Sequence, residues 1–422
     1  MKKSAKKRRS KKAPVALRLV SPLAEVVRRD LREFVIRKGT EALAEALEQD
    51  RVALCGPAYG RDSKTSKRRA GSAPGRLVMG GRRVTVPRPR VRDDRGEVVL
   101  PSWGELADED PLDERAVEQM VLGVSTRKYR RSLEDLPSEV AESGTSRSAV
   151  SRRFKAMTQK KLEALLSSNL SNVPLVAMLI DGIHVEEHVV LIAIGIDRSG
   201  VKHVLGLWEG ATEHSRVCMA LLNNLVERGV DSQRSLLFVI DGSAALRKAI
   251  RKVFGGRGII QRCQVHKRRN VLDHLPKEMH PSVGKAIRDA YKSPSPAAAK
   301  KRLQALAAQL DNEHPGAAAS MREGLDETLT VKAMKLPKNL ERTLSTTNPI
   351  ENLNGGVRDM IRRVKRWRGG KMILRWVGAA VLERSRGFRR VRGCKGMSGL
   401  LLTLQRNDNR IDSDLDHVAE VA

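Results

Sequence analysis

The middle of the chain carries two apolar runs of eight residues, Val173–Ile180 and Val189–Ile196. Eight residues fall far short of the ~18 that span a bilayer, and short runs bounded by turn residues read as buried strands. The pattern predicts strands over Leu175–His184 and His188–Asp197, joined through Glu186-Glu187. A third follows over Lys202–Trp208, after the turn Asp197-Arg198-Ser199-Gly200. The period then becomes helical over Ser215–Arg228, returns to a strand at Leu236–Asp241, and is helical again over Ala244–Phe254, with a short strand near Ile259. Residues 263–345 read as almost entirely helical, with Ser293–Ala299 as a turn, and Pro349 opens a long basic helix.

Upstream, residues 1–20 form a basic tail, and an amphipathic pattern starts at Ser21-Pro22 (Leu23, Val26, Val27, Leu31, Phe34, Val35) and continues to Leu54. Residues 55–76, rich in Gly, Ser, Lys and Arg, read as a linker, and Arg76–Arg92 as a hairpin around Gly80-Gly81 that Pro87 and Pro89 confine to a sheet edge. A helical trio is expected at Asp113–Leu122, Ser125–Leu133 and Arg147–Lys155. On the third helix Ala149, Val150 and Phe154 share one face, while Arg147, Ser148, Ser151, Arg152 and Lys155 share the other. That is the form of a helix-turn-helix offering basic and hydroxyl groups to a DNA groove, and also of an ordinary three-helix bundle. The segments expected are thus 1–20, 21–110, 111–172 (helix-turn-helix), 173–262 (first part of the α/β core), 263–345, 346–392 and a C-terminal tail over 393–422. A three-stranded meander followed by alternating helix and strand is an α/β arrangement in the order of the ribonuclease-H fold.

Charge narrows the partner. The 80 Lys and Arg against 49 Asp and Glu leave a net charge of +31, an excess that a polyanion relieves by releasing its counterions. A ribosomal or membrane-surface protein shares that balance. Aromatic residues, at 3%, are too few for a platform that stacks single-stranded bases. Cys55, Cys218, Cys263 and Cys394 lack disulfide spacing, as expected of a reduced cytoplasm.

Two apolar strands run into the same tetrapeptide pattern, Leu179-Ile180-Asp181-Gly182 and Val239-Ile240-Asp241-Gly242. Phosphodiester transfer uses two divalent cations held by a few carboxylates, and acids on adjacent strands can supply them. A single Asp-Gly reads as a turn; two, on the first and fourth strands, favour chemistry. Glu351 in Thr346-Thr347-Asn348-Pro349-Ile350-Glu351 is the third acid, with Asn348 as the expected N-cap. Arg358 and Arg362 fall on its face of the helix, with Gly355 and Gly356 between, an arrangement suited to close approach of DNA. Asp197 reads as a turn residue and Trp208 as packing. Cys263 and His266 form a Cys-x-x-His pair, read as structural rather than as half of a zinc site.

These segments resemble the Mutator-type transposases of bacterial insertion sequences. The resemblance rests on Leu179–Gly182, Val204–Gly210, Leu225–Gly229, Val239–Gly242, Gln261–Asn270 and Ser345–Glu351, in order, with Gly123–Arg127 and Ser146–Ser151 upstream. It implies a ribonuclease-H-like catalytic domain with an all-helical insertion, and Asp181, Asp241 and Glu351 as a DDE triad holding two Mg²⁺ (or Mn²⁺) ions. It also makes Cys263 and His266 the family's Cys-x-x-His pair, with Asn352–Gly356 looser than the relatives' usual helix. The implied function is binding of terminal inverted repeats, cleavage there and joining to target DNA, by a homodimer or higher oligomer on double-stranded DNA, in the cytoplasm at the nucleoid. An inactivated copy acting only as a DNA-binding regulator, and a nuclease of the same fold without strand transfer, are the other classes open to the sequence.

Overall fold

The computed structural model describes residues 22–60, 65–79, 81–108, 111–133, 136, 141–210 and 215–421. The basic tail over 1–20, Ser21 and Gly80 of the expected turn lie outside them. The chain divides into two compact units, Met1–Ala116 with Thr126–Val150, and Val117–Ser125 with Ser151–Ala422. Among the described residues no helix is long and apolar enough to cross a membrane.

The first unit holds α1 (Pro22–Cys55), β1 (Arg68–Met79), β2 (Arg82–Asp93), β3 (Gly96–Val98), α2 (Pro101–Asp108), the start of α3 (Pro111–Val121) and β4 (Glu142–Ser143). β1 and β2 pair antiparallel from Arg68↔Arg92 to Met79↔Arg82, so the hairpin is longer than expected and the linker shorter. β2 is not an edge strand: β4 pairs with it at Arg83–Val84 and β3 at Val91–Asp93. Pro87 and Pro89 fall in the gap between those two partners, where a missing amide hydrogen breaks no ladder on that side.

The helix expected over Ser125–Leu133 is replaced by turns and a single 3-10 turn at Arg130–Ser132. Four of its nine residues are basic, and its buried anchors are only Tyr129 and Leu133. Buried Tyr129 needs a partner for its hydroxyl and donates to the Gly81 carbonyl at 2.9 Å, which fixes the segment without a helix. The third helix is longer than expected: α4 runs Arg147–Ser167.

The second unit is built on β5 (Leu175–Val185), β6 (His188–Asp197), β7 (Lys202–Gly210), α5 (Ser215–Glu227), β8 (Leu236–Ile240), α6 (Ala244–Phe254) and β9 (Gly258–Arg262). The sheet order is β7-β6-β5-β8-β9, with β5, β6 and β7 antiparallel and β8 and β9 parallel to β5. Both faces are covered, which is why these strands read as continuous apolar runs. One face packs on α5 and α6 through Leu221, Leu222, Leu225, Leu246 and Ile250. The helices α7 (Gln264–Leu272), α8 (His280–Tyr291), α9 (Pro296–Leu310) and α10 (Pro315–Arg322) share a core of their own, including Ile287, Leu303 and Met321. The turn before α9 is shorter than expected, because Ser295 caps the helix and Pro296 opens it.

The other face of the sheet is covered by α11 (Thr330–Ala333), α12 (Lys338–Leu344), α13 (Asn348–Ile361), α14 (Gly370–Ser385) and α15 (Met397–Val421). The long basic helix is therefore two. Five of the seven residues Arg362–Arg368 are basic and repel one another, and Gly369, at φ +88°, starts α14 afresh. The C-terminal tail is instead α15: Met397, Leu400 and Leu404 are buried, and Asp408 accepts from Arg257 at 3.0 Å and from the Ser235 amide at 2.7 Å. Trp208 packs against the core beneath α5. Arg228 ties α4 to the sheet, donating to the Leu165, Ser168 and Leu205 carbonyls at 2.8–3.0 Å.

Asp197 organises the β6–β7 turn, accepting from the Ser199 amide and hydroxyl, the Val201 amide and His203 at 2.7–3.0 Å. Burial pushes its carboxyl up, but these donors outweigh burial and hold it at about 2. A depressed carboxyl stabilises the fold above its unfolded range and loses that contribution as pH falls toward 2. Asp197→Asn is expected to lower unfolding free energy at pH 7 by about 1–2 kcal/mol. In urea titrations the gap between the two proteins should close as pH drops from about 4 to about 2. A gap independent of pH would contradict the assignment.

Candidate active site

Alternation along two strands decides where the acids point. In β5, Leu179 and Ile183 join the core under α13, and Met178 and Ile180 the core under α5; in β8, Val239 takes the first side and Phe238 and Ile240 the second. With a period of two, Asp181 and Asp241 both fall on the α13 side. The strands are parallel with Leu179 opposite Val239, so the same register carried two residues on sets Asp181 beside Asp241. Burial first, and the Asp241 charge second, push Asp181 up to about 6, against the opposing pull of the Gly182 amide, His266 and Asn354.

The two Asp-Gly pairs differ locally. Asp181-Gly182 lies within β5, not in a turn. Asp241 does act as a turn residue, its Oδ1 accepting from the Ser243 amide at 2.9 Å, while Ser243 caps α6. Gly242 has φ +115°, and the Arg262 guanidinium occupies the space a Cβ would need. Only glycine fits there, so the turn and the exposure of an acid at the strand end come from the same backbone.

Glu351 is delivered by α13. Ile350, Leu353, Asn354, Val357 and Ile361 make its buried face, and Glu351 follows at the rim, its side chain 25% exposed. The N-cap is Thr347 rather than Asn348: the Thr347 carbonyl accepts the Ile350 and Glu351 amides, which makes Asn348 and Pro349 the first helical residues. Glu351 is thus one position too deep for a capping box. The helix also runs without interruption through Asn352–Gly356, so the looseness expected there is not found.

Cys263 and His266 stand between the acids. The Cys263 amide donates to the Ile240 carbonyl at 2.8 Å, directly before Asp241. Its Sγ accepts from the His266 amide at 3.5 Å and the Thr347 amide at 3.4 Å. Burial pushes the thiol up, yet hydrogen bonds with His266 and Thr347 bring it below its usual value; the same bond with Cys263 raises His266. His266 Nδ1 is 3.8 Å from Glu351, and its ring feels the charges of Asp241 and Asp181. The structure therefore brings all three acids and the Cys-x-x-His pair to one place. One ligand atom each from Cys263, His266 and Glu351 lie within 4.8 Å of one another.

Two members of this site were not singled out from the sequence. Asn354, fully buried on the apolar stripe of α13, donates Nδ2 to Asp181 Oδ2 at 2.7 Å. An amide at a core position of a helix is a signal for such a bond. Thr347, also fully buried, stands in the motif that pointed to Glu351 but gave no sign of its own. Three carboxylates, with Asp181 and Asp241 repelling each other, are hard oxygen donors of the kind that suit Mg²⁺ or Mn²⁺, although the potential ligand atoms found within 4.8 Å of one another among the described residues are those of Cys263, His266 and Glu351. Arg358 and Arg362 are exposed on the same helix, and Gly355, on their stripe, has open space where a Cβ would stand. On α4, Arg147, Ser148, Ser151 and Arg152 are exposed and Val150 and Phe154 buried, the division expected of that helix.

The model of the family described as transposase, Mutator family, matches residues 21–390. A transposase for insertion sequence element IS6120 from Mycolicibacterium smegmatis is 31% identical over 56% of this chain and 72% of its own length. One for ISRM5 from Rhizobium meliloti is 30% identical over 63% of this chain and 66% of its own length. One for IS1081 from Mycobacterium tuberculosis is 26% identical over 81% of this chain and 82% of its own length.

The raised Asp181 sets a sign for pH. A carboxyl raised on folding stabilises below its unfolded value near 3.8 and loses that contribution as pH rises through about 6. Metal-free protein should therefore be less stable than metal-free Asp181→Asn at pH 7.5, by of order 2–3 kcal/mol, with the difference vanishing near pH 4. Urea unfolding in chelator measures it, and equal stability at both pH values would refute the burial of a charged pair.

Proposed function

The chain belongs to the Mutator family of transposases, and from that premise we propose that it cleaves and joins DNA with Asp181, Asp241 and Glu351 as a metal-holding triad. The observation that carries the reading is the register of β5 and β8, with two acids side by side on one sheet face and a third brought to them by α13. The sheet order supports assigning the second unit to the ribonuclease-H-like class, with the helices from α7 to α12 as its insertion. When bound, Mg²⁺ or Mn²⁺ would lower the pKa of the attacking hydroxyl and neutralise phosphate charge.

The protein's own part is positioning. Asp181 and Asp241 hold their carboxylates on rigid strands, Glu351 closes the third side, and Asn354 holds one oxygen of Asp181. In the first reaction water attacks the phosphodiester at the end of the element, leaving a 3′ hydroxyl and a 5′ phosphate. In the second, that hydroxyl attacks a phosphodiester of target DNA and the target's own 3′ oxygen leaves. Cys263 and His266 are structural, tying the end of β8 to α13. Arg358 and Arg362 contact the DNA backbone near the acids, and Arg147, Ser148, Ser151 and Arg152 of α4 read the terminal inverted repeat in a groove. The protein works as a homodimer or higher oligomer on double-stranded DNA, in the cytoplasm at the nucleoid.

Asp181→Asn, Asp241→Asn and Glu351→Gln should each abolish cleavage and joining in Mg²⁺ while binding to the terminal repeat persists; Asp197→Asn should stay active. An Asp241→Asn protein that still joins ends would overturn the mechanism.

The α4 assignment is tested separately by replacing Arg147, Ser151 and Arg152 with alanine. Repeat-specific binding in a mobility-shift assay should be lost while the melting temperature holds. The logarithm of the binding constant should fall against the logarithm of salt concentration with a slope of about −0.9 per phosphate contacted. Unchanged repeat binding by the triple variant would remove α4 from the DNA interface.

A further inference from the structure

Thr347 has one hydroxyl hydrogen and three polar neighbours. Its Oγ1 lies 2.5 Å from Glu351 Oε1, 3.2 Å from Cys263 Sγ and 3.2 Å from His266 Nδ1. Elementary hydrogen-bond chemistry assigns the roles. A carboxylate is the strongest acceptor of the three and makes the shortest contact, so the hydrogen goes to Glu351. The rest of Oγ1 then faces His266 Nδ1 and the Cys263 sulfur, both at 3.2 Å. Every direction around the hydroxyl is used, and none is available to water, because Thr347 is fully buried.

The backbone fixes the same residue from the other side. The Thr347 amide donates to Cys263 Sγ, and its carbonyl accepts the first amides of α13, those of Ile350 and Glu351. Cys263 is itself anchored by its amide to the Ile240 carbonyl, next to Asp241. A continuous path of short bonds thus runs from the end of β8 through Cys263 and Thr347 to the Glu351 carboxylate.

We propose that Thr347 is a positioning residue: its buried hydroxyl, held by Cys263 and His266, takes one oxygen of Glu351 and so presents the other to the space shared with Asp181 and Asp241. The proposal rests on Glu351 being a metal ligand, as argued above. A glutamate with one oxygen already bonded has lost most of its rotational freedom before any ion arrives. Removal of such an outer hydrogen bond weakens metal sites by about 10- to 100-fold.

The test is direct Mn²⁺ binding to the full-length protein, read by the electron paramagnetic resonance of free Mn²⁺, beside thermal melting in chelator. Thr347→Val keeps the shape and removes the hydroxyl; it should weaken Mn²⁺ binding at least about tenfold. Thr347→Ser restores the hydroxyl and should bind within about threefold of the unaltered protein, by the same reasoning. Thr347→Ala serves in place of the valine variant if that variant does not fold. Glu351→Gln is the reference for loss of a ligand. Normal binding by Thr347→Val alongside impaired binding by Glu351→Gln overturns the positioning role and leaves the triad standing. Equal weakening by serine and valine also overturns it, because the hydroxyl would then not be what matters. Normal binding by Glu351→Gln removes the triad reading and this proposal with it.

Discussion

The repulsion between Asp181 and Asp241 works against folding of the metal-free chain, and the neighbouring elements are arranged to bear it. Neither acid can move away. Asp181 is inside a strand paired on both sides, and Asp241 follows β8 at a backbone turn only glycine can complete. The helix α13 answers with side chains at three levels: Asn354 donates to Asp181, Glu351 brings a third charge, and Thr347 holds Glu351 in turn. A site that were only structural would gain by placing a cation from its own sequence among these acids. Among the described residues His266 is a basic side chain that feels all three acids, and its bond with Cys263 raises it. The cluster is thus short of positive charge in a chain whose net charge is +31.

That contrast separates two ranges of electrostatic action. At physiological ionic strength charges are screened beyond about 8 Å, so an approaching duplex meets the local surface rather than the net charge. The basic residues between α13 and α14 and along Arg358 and Arg362 are exposed and continue from the helix that carries Glu351. On the proposed reading, phosphate is drawn by this stripe, and the acids act only over the last few ångströms, where a divalent ion would convert their repulsion into binding energy. On the same reading specific recognition is left to α4, whose apolar side packs Phe154 against Trp376 at 4.4 Å while Arg147, Ser148, Ser151 and Arg152 are exposed.

Much of this was legible in the residues, and the reasons are physical. The strands of the central sheet stand out because burial on both faces leaves few polar positions to interrupt them, and the tetrapeptides Leu179–Gly182 and Val239–Gly242 mark Asp181 and Asp241 by breaking that rule. Glu351 was legible from Asn348-Pro349, which announces a helix start, yet the cap lies one residue earlier because Thr347 is chosen by partners distant in sequence, Cys263 above all. The second helix of the trio failed for the same kind of reason: Tyr129 bonds to Gly81, a contact no local periodicity encodes. The helix α15 was hidden because its short apolar stripe, Met397, Leu400 and Leu404, is followed by a polar one whose Asp408 is explained only by Arg257.

The two adjacent glycines of α13 show where the fold stops explaining the sequence. Each costs about 1 kcal/mol of helix stability relative to alanine, so each needs a reason. Gly356 has one inside the protein: the Arg384 guanidinium from α14 fills the place of its Cβ, and any side chain would displace that packing. Gly355 has none, because no heavy atom among the described residues stands within 4 Å of where its Cβ would be. It lies one turn after Glu351 and one turn before Arg358, on a face left open between an acid and two arginines. A bare backbone at that point, at the expense of the helix, leaves room that no described residue fills. On the proposed reading, a DNA strand entering the triad would pass there.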